Sequence, residues 1–455
     1  MSEQFDAVVI GAGIAGETCA QRLRDAGRSV ALVERDLIGG ECAYWASIPS
    51  KTLFGPANLL WRAQQIAGIH SPAVGGPHGT IPRDALLPAL DDAAQMDALQ
   101  RTGIAVIRGN ARVLSAGRVE VADRLLETER LVLATGSAPR IPDIAGLAAS
   151  VYWTNREATA FKALPQSVLV LGGESQAIEL AQMFRLFGAD VTLVTKAARL
   201  ITHEDADAAA LITRYLYQSG IRVLVGHTLT EVACDDEEEY VALLDNGERI
   251  VMQALVVAGS RMPRTMALGD SGIEARVTER GIEVDERCRA AEGVWAIGDV
   301  TGVLPLSHVA LYQAHIAADD ILGHTHPAQY LSVPRIYFTE PQVAATGLTL
   351  AGIQERQLAV SSVTVALGGP VPRASGVHND LQGQLTLHAD RERGVLVGAW
   401  AVAPDASEWI QLAALAIRAA IPLAIFHDTL EQFPTFNEPY RIALERLIRE
   451  AAGPI

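Results

Sequence analysis

The sequence has few cysteines and no long apolar run, and each absence excludes a class of function. Its 455 residues include four cysteines, at 19, 42, 234 and 288, without the short spacings typical of zinc sites or disulfide frameworks. We therefore expect no metal centre, and such sparse thiols are typical of a reducing cytoplasm. The most apolar late stretch, 412–426, is interrupted by Arg418 and Pro422 and is too short to cross a bilayer. No basic region precedes the first predicted strand, which argues against a signal peptide.

Positive charge is scarce as well. The formal net charge of −16 argues against binding to nucleic acids or anionic membranes, because their phosphates would be repelled. Aromatic residues make up 5% of the chain and apolar residues 49%, a balance typical of α/β layers rich in Ala, Val, Leu and Gly. The sequence therefore predicts a chain of about three α/β domains.

A dinucleotide-binding pattern opens the chain. Two strands are predicted around a glycine-rich turn, Phe5–Ile10 and Ser29–Glu34. Gly11 makes the tight turn, Gly13 lets the backbone approach a pyrophosphate, and Gly16 lets the following helix pack on the strand. The helix N-terminus presents its positive end to the phosphates. Glu34, about 20 residues on, is placed to accept hydrogen bonds from the ribose hydroxyls.

The next motif contains a cysteine whose partner is missing. Cys42-Ala-Tyr-Trp-Ala-Ser47 runs into Ile48-Pro-Ser-Lys51. This frame resembles the redox-active Cys-x4-Cys segment of the flavoprotein disulfide reductases, with serine in place of the second thiol. A hydroxyl cannot form a disulfide, because that chemistry belongs to a low-pKa sulfur. The matching change at Phe433, described below, indicates a natural serine rather than an engineered one.

The whole chain resembles the pyridine nucleotide–disulfide oxidoreductases, and most closely their soluble transhydrogenase type, which lacks the redox disulfide. The resemblance implies an α/β fold with two Rossmann-type nucleotide-binding domains, one for FAD and one inserted for NAD(P), and a C-terminal α+β dimerisation domain. The implied domains are 1–150 (FAD), 151–265 (NAD(P)-like), 266–330 (return to FAD) and 331–455 (interface of a homodimer). Other predicted segments are a helix over 407–420 and a Gly- and Pro-rich loop over 73–82.

FAD is the cofactor that the resemblance implies. Leu131–Pro139 is similar to the family's second glycine turn, and the strand beginning at Val294 delivers an aspartate of the type that binds the ribityl and pyrophosphate region. The helix beginning at Ser307 is similar to the one that points at the flavin pyrimidine edge. Beyond the opening fingerprint, the residues implied to bind FAD are Arg35, Gly40, Lys51, Ala134, Thr135, Gly136, Asp299, His308 and Ala310.

The inserted nucleotide site departs from its pattern. The strand Ser167–Leu171 is followed by the element Gly172–Glu179, which aligns with a second GxGxxG motif. Glu174 stands at the position of its second glycine and Ala177 at the position of its third. Alanine is a common variant at the third position. A carboxylate about 4 Å from one phosphate charge would cost on the order of 4 kcal/mol at an effective dielectric near 20, as an upper figure.

Other departures point the same way. Ser175 replaces the tyrosine that gates the nicotinamide pocket in relatives, Thr195-Lys196 ends the second strand without an acid, and Ser260 precedes Arg261 where relatives have glycine. Lys196 and Arg199 favour NADP over NAD if either binds; otherwise they lie in a solvated loop. The residues assigned to this site are Gly172, Glu174, Lys196, Arg199 and Arg261. We interpret the site as impaired or repurposed.

Several residues are left for chemistry at the flavin. Lys51 matches the family lysine near flavin N5 and Glu179 its ion-pair partner, with catalytic tuning and a structural role both open. Ser47 either donates a hydrogen bond toward flavin C4a or only fills space, and Cys42 is favoured as a packed thiol.

The C-terminal motif has lost its histidine. Gln432–Glu438 follows the family's His-Pro-Thr-x-x-Glu element, with Phe433 at the position of the acid/base histidine and Glu438 retained. His427 lies six residues upstream and is favoured as a surface or packing residue. In relatives this element reaches the other subunit's site, so Phe433 would line the pocket of the partner.

These residues predict an FAD-dependent two-electron oxidoreductase that acts on a small molecule directly at the flavin, without disulfide exchange. The electron donor is either NAD(P)H, as in a transhydrogenase or a reductase of quinones or diffusible acceptors, or the organic substrate itself. A flavoprotein kept for structure without turnover is the alternative of a different class.

Overall fold

Strands and helices alternate through most of the chain. The computed structural model describes residues 2–64, 90–234, 239–269, 271–368 and 383–452, so the loop predicted at 73–82 lies outside the described residues. Two compact units are present. The first comprises the described residues within 1–49, 84–140 and 260–329, and the second those within 50–83, 141–259 and 330–455.

The first unit is built on a six-stranded sheet. Its strands, in spatial order, are Arg289–Ala291, Val294–Ala296, Leu131–Leu133, Ala7–Ile10, Val30–Glu34 and Ala105–Arg108. All neighbours pair in parallel except the first two. The parallel strands are nearly continuous apolar runs, as expected for strands buried on both faces.

Smaller sheets and helices complete the first unit. A four-stranded sheet contains Ser2–Phe5, Arg124–Thr128, Arg118–Val121 and Ala111–Ser115, and two short ladders pair Ser137–Pro139 with Arg261–Pro263 and Val277–Thr278 with Gly281–Ile282. The helices are Ile14–Asp25, Gly40–Tyr44, Ala93–Arg101 and Ser307–Ile321, with 3₁₀ turns at Met266–Leu268 and Gly298–Thr301. Helix Ser47–Gln64 runs across the sequence boundary between the units.

Three sheets form the described part of the second unit. A parallel sheet contains Arg222–Val225, Asp190–Thr195, Ser167–Leu171 and Ala254–Val257. A three-stranded antiparallel sheet contains Leu229–Cys234, Tyr240–Leu244 and Arg249–Met252. A five-stranded antiparallel sheet contains, in spatial order, Arg335–Tyr337, Gln342–Gly347, Val395–Ala403, Gln384–Asp390 and Val360–Ala366. The helical segments are Leu147–Ala149 (3₁₀), Asn155–Ala158, Ser175–Leu186, Ala206–Gln218, Leu350–Glu355, Ala406–Trp409, Gln411–Arg418, Leu423–His427 and Glu438–Ala452.

Two predicted elements are divided in the structure. The strand predicted over Phe5–Ile10 is interrupted at Asp6, because the Asp6 carboxylate accepts a hydrogen bond from the Ser29 N–H (2.7 Å) and its own N–H donates to the Ser29 hydroxyl (2.9 Å). The helix predicted over 407–420 is two helices separated by Ile410 alone. Helical hydrogen bonds continue through that residue, from Ile410 N to Ala406 O and from Ala414 N to Ile410 O, so the break is slight.

Among the described residues, no helix is long and apolar enough to cross a membrane.

Candidate functional site

The first glycine turn is shaped for backbone packing on one side and for open approach on the other. Gly11 has a φ of +103°, and a Cβ there would lie 2.3 Å from the Ala134 carbonyl oxygen. A Cβ at Gly16 would lie 1.8 Å from the Gly11 oxygen. At Gly13 a Cβ would meet no atom within 4 Å. Thus two of the glycines are required by the fold, and the third leaves space at the N-terminus of helix Ile14–Asp25.

Glu34 braces this turn from the end of the neighbouring strand. Its carboxylate accepts hydrogen bonds from the N–H groups of Ala12 (2.7 Å) and Asp36 (2.8 Å), and it is 9% exposed. Each oxygen retains a lone pair for a further donor, as a ribose hydroxyl requires. Arg35, next in sequence, is exposed.

The 39–40 turn packs on the first glycine turn. The Gly39 N–H donates to the Ala12 carbonyl (2.7 Å), and a Cβ at Gly40, whose φ is +62°, would lie 2.9 Å from the Gly13 Cα. The short helix Gly40–Tyr44 therefore starts beside the open face of Gly13. Cys42 is in this helix, and its Sγ lies 3.4 Å from the hydroxyl of Ser307, the first residue of helix Ser307–Ile321.

Hydrogen bonds hold the second glycine turn of this unit. The Ala134 N–H donates to the Ile10 carbonyl (2.8 Å), the Thr135 hydroxyl donates to the Arg264 carbonyl (2.6 Å), and Gly136 has a φ of +69°. The Ser137 hydroxyl donates to Asp299 Oδ2 (2.6 Å). The Asp299 carboxylate is thereby fixed at the end of its apolar strand.

Of the remaining residues predicted to bind FAD in this unit, His308 is exposed and Ala310 is buried, both in helix Ser307–Ile321. The 3.4 Å contact of Ser307 with Cys42 links the start of this helix to the cysteine motif.

Arg261, which the sequence predicts for the inserted nucleotide site, pairs with a strand of the first unit. Its Nε donates to the Ser137 hydroxyl at 2.7 Å. Its guanidinium is also 3.7 Å from Glu41, which lies 3.4 Å from Arg264. The strand Arg261–Pro263 pairs with Ser137–Pro139, and this long-range pairing determines the placement.

Glu17 is a candidate site residue that the sequence motifs did not indicate. It follows Gly16 in the first turn of the helix, and its Oε1 is buried with no hydrogen-bond partner among the described residues. Burial raises the pKa of Glu17 to about 7, an effect that the Gly39 N–H opposes and the Glu34 carboxylate increases. An acid directly after the third glycine was the available signal.

The residues of the first unit fit FAD. The open face at Gly13, the available lone pairs of Glu34 and the unpaired oxygen of Glu17 all accommodate a polar ligand at this turn. The opening fingerprint, Glu34, Gly40, the 134–136 turn and Asp299 would hold the cofactor, which supplies two-electron redox chemistry when bound.

In the second unit, Lys51 and Glu179 form the predicted ion pair. Lys51 Nζ lies 2.5 Å from Glu179 Oε2 and 4.7 Å from the centre of the Phe338 ring. Glu179 Oε1 also accepts from the Ser175 hydroxyl (2.8 Å) and the Phe338 N–H (3.0 Å). The buried Glu179 carboxylate thus has three donors, so its charge is well compensated.

The second nucleotide turn has a backbone like that of the first turn but carries a charged side chain at its second position. Gly172 has a φ of +149°, and a Cβ there would lie 2.3 Å from the Ala258 carbonyl oxygen. Glu174 immediately precedes helix Ser175–Leu186, at its N-cap position, and its side chain points toward Thr202. Its Oε1 accepts from the N–H of Thr202 at 2.9 Å and from the Thr202 hydroxyl at 2.5 Å.

The two cations predicted for an NADP phosphate differ in the structure. Lys196 is exposed. The two terminal nitrogens of Arg199 donate to the carbonyls of Leu200, Ile201, Thr202 and Glu204. Arg199 therefore holds the 200–204 loop in place.

The C-terminal motif retains local structure without the histidine. Phe433 is 65% exposed. Glu438 begins helix Glu438–Ala452, and its carboxylate accepts from the Thr435 N–H (3.1 Å). His427 Nε2 lies 3.8 Å from Glu445, so among the described residues the ion-pair neighbour of this ring is Glu445 rather than Glu438.

The glycine turn at 11–16 and the two parallel sheets define a flavoprotein with two dinucleotide-binding folds. The profile described as pyridine nucleotide-disulphide oxidoreductase matches residues 5–314, and that of the same family's dimerisation domain matches residues 333–444. The chain therefore belongs to the pyridine nucleotide–disulphide oxidoreductase family.

Relatives of known name agree with this assignment. The chain is 31% identical to a mercuric reductase of Streptomyces lividans over 98% of this chain and 97% of the relative, and 28% identical to a dihydrolipoyl dehydrogenase of Chlamydia pneumoniae over 96% of each. Among solved structures, LpdA from Mycobacterium tuberculosis matches with a TM-score of 0.86 and 26% identity, covering 97% of this chain and 99% of that one. The HOCl-induced flavoprotein disulfide reductase RclA from Escherichia coli matches with a TM-score of 0.84 and 25% identity, covering 97% and 99%.

The predicted family, fold class, enzyme class and cofactor are thereby confirmed. The chain is an FAD-dependent oxidoreductase of the α/β class, in a family whose members use FAD and NAD(P)H.

Proposed function

We propose that this enzyme transfers two electrons between its flavin and a small molecule directly, without dithiol–disulfide exchange. The observation that carries the proposal is the surroundings of Cys42. Its sulfur lies beside the Ser307 hydroxyl, and position 47 holds a hydroxyl instead of the second thiol.

The other thiols of the first unit support the proposal. Cys19 and Cys288 are both buried in the hydrophobic core. Burial raises the pKa of Cys19 to about 12, which removes the thiolate that exchange requires.

The electron donor has two candidates, each favoured by a specific observation. The family match favours NAD(P)H, and exposed Lys196 remains for the extra phosphate of NADP. The Glu174–Thr202 contact and the engaged Arg199 favour an organic donor, because both occupy groups that a dinucleotide would use. A scaffold without turnover is disfavoured by the compensated Lys51–Glu179 pair.

The remaining site and assembly assignments are part of the proposal. Lys51 would tune the flavin, Ser47 would face the reacting edge, and exposed Phe433 would line the partner's pocket in a homodimer, for which the dimerisation-domain match is the support. We retain the domain division at 150, 265 and 330, and a cytoplasmic location in keeping with the sparse cysteines.

Counting electrons tests the absence of disulfide exchange. Anaerobic dithionite titration of the purified protein should consume about two electrons per FAD, because only the flavin accepts them. Ser47→Cys should raise this to about four by restoring a thiol pair with Cys42, while Ser47→Ala should leave it unchanged. Consumption of about four by the unaltered protein would refute the proposal.

Mixing with nucleotide separates the two donors. If a nicotinamide is the donor, NADPH or NADH added without oxygen should bleach the flavin absorbance at about 450 nm. Rapid bleaching at micromolar nucleotide rules out an organic donor as the only source of electrons. No bleaching at millimolar nucleotide rules out the transhydrogenase-like reaction.

A further inference from the structure

Glu17 is an acid that the redox reaction does not use, placed in the cofactor turn. Its N–H closes the first helical turn on the Gly13 carbonyl at 3.0 Å. Its Oε1 is inaccessible to solvent and has no hydrogen-bond partner in the part of the chain that the structure describes. A buried carboxyl oxygen without a partner is costly, so this arrangement favours a ligand that completes it.

The charges around Glu17 disfavour its ionised form. Glu34 faces it from the end of the neighbouring strand, and Tyr44 faces it from helix Gly40–Tyr44. Beyond Tyr44 lies Asp92, which is paired with Arg108. In the described part of the chain, none of the groups that shift the pKa of Glu17 is a cation. The remaining neighbour, the Gly39 N–H, belongs to the turn that packs on Gly13.

We propose that Glu17 binds FAD as the neutral acid, so that the protein takes up a proton when the cofactor enters the turn. The inference rests on FAD occupying this turn. A diphosphate is an anion, so an ionised carboxylate beside it would be repelled, whereas a neutral carboxyl donates a hydrogen bond. The proton comes from solvent and stays on the carboxyl, and no electron moves. FAD affinity then falls as the pH rises above the range in which the apoprotein holds this proton.

The test is the pH dependence of FAD binding to the apoprotein, followed by quenching of flavin fluorescence between about pH 6 and 9. Above about pH 7 the dissociation constant should rise by up to about tenfold per pH unit. Glu17→Gln should remove this dependence, because the amide cannot ionise. Asp25→Asn is the matched control, since Asp25 is an exposed acid at the other end of the same helix, and it should behave like the unaltered protein.

Calorimetry supplies a readout that does not depend on the variant folding. At about pH 8, FAD binding measured in two buffers of different ionisation enthalpy should show uptake of a substantial fraction of one proton. Binding without proton uptake, or affinity that rises with pH, overturns the role of Glu17 and leaves the FAD assignment intact. Absence of FAD binding at every pH overturns both.

Discussion

The glycine turns that begin at Gly11 and Gly172 have similar backbones but present different side chains. Gly11 and Gly172 both have positive φ, and in each case a Cβ would lie 2.3 Å from a carbonyl oxygen of a neighbouring strand end. The second position of the glycine motif differs, since Gly13 leaves open space and Glu174 carries a carboxylate that accepts a hydrogen bond from the Thr202 hydroxyl. The same backbone packing is therefore compatible with either a glycine or a charged residue at this position.

The helices that follow the turns differ in a related way. In the first, Glu17 has an oxygen without a partner and a raised pKa. In the second, Glu179 is compensated by Lys51, Ser175 and the Phe338 N–H. The acid of the first helix is thus left for a ligand, whereas the acid of the second is used by the protein itself.

The largest loss of stability is expected from alanine at Gly11 or Gly172. Gly11→Ala and Gly172→Ala should each destabilise the protein by about 3 kcal/mol or more, because the new Cβ overlaps a carbonyl oxygen at a positive φ. Only Gly11→Ala should also abolish FAD retention. Thermal unfolding and flavin content of the purified proteins measure the two effects. Gly27→Ala, where a Cβ meets no atom within 4 Å at a φ of +79°, is the control and should cost about 1 kcal/mol. Equal flavin loss in both turn variants would remove the functional distinction between the turns.

Glycine at position 174 should strengthen nucleotide binding. Glu174→Gly should strengthen NADPH binding by about 100- to 1,000-fold, because it removes a carboxylate from beside the diphosphate. Titration calorimetry measures the affinity. Thr202→Val is the companion variant, since it keeps the N–H but frees the carboxylate from the hydroxyl, and it should weaken binding further. An unchanged affinity in Glu174→Gly would show that the carboxylate, turned to Thr202, does not oppose the ligand.

The acid of the first helix should make the stability of the apoprotein depend on pH. Since its pKa is about 7 in the fold and about 4.5 unfolded, the folded state retains the proton longer, and stability falls as the pH rises between these values. The unfolding free energy of Glu17→Gln, relative to the unaltered protein, should therefore improve by about 3 kcal/mol from about pH 4 to pH 8. Urea unfolding at several pH values measures this, and a constant difference would contradict the raised pKa.

The acid of the second helix should depend on its partner. Lys51→Met should destabilise the protein by about 2 kcal/mol, because Glu179 loses a charged donor while the lysine end of the pair is one-third exposed. Glu179→Gln combined with Lys51→Met should recover part of the loss, since no buried charge then remains. Urea unfolding of the unaltered protein and of these two variants tests this. Full stability in the single variant would mean that Ser175 and the Phe338 N–H suffice.

Local sequence was informative where chemistry follows from residues close along the chain. The glycines at 11, 13 and 16 and the acid at 34 predict a dinucleotide turn, because strand, turn and helix follow one another within 30 residues. The ion pair of Lys51 with Glu179 spans 128 positions and was reached through the family resemblance, not through spacing.

Tertiary pairing and local backbone conformation decide the surroundings of two cations. Arg261 follows Ala258 closely in sequence, yet its strand pairs with Ser137–Pro139. Arg199 lies beside a loop that presents four backbone carbonyls, within five residues of it, to its guanidinium. The residue types do not indicate either arrangement, because the first depends on a distant strand and the second on the backbone conformation of residues 200–204.

The sequence alone determined the family, the FAD turn and the serine at position 47 of the cysteine motif, since each depends on residue identity at fixed spacing. Tertiary structure alone decided which charges are available to a ligand. Glu17 and Glu179 are both helical glutamates just after a glycine-type turn, and only the fold supplies donors to one and leaves an oxygen of the other unpaired. The reason is physical, since the state of a buried carboxyl depends on the donors and charges that distant segments bring within a few ångströms.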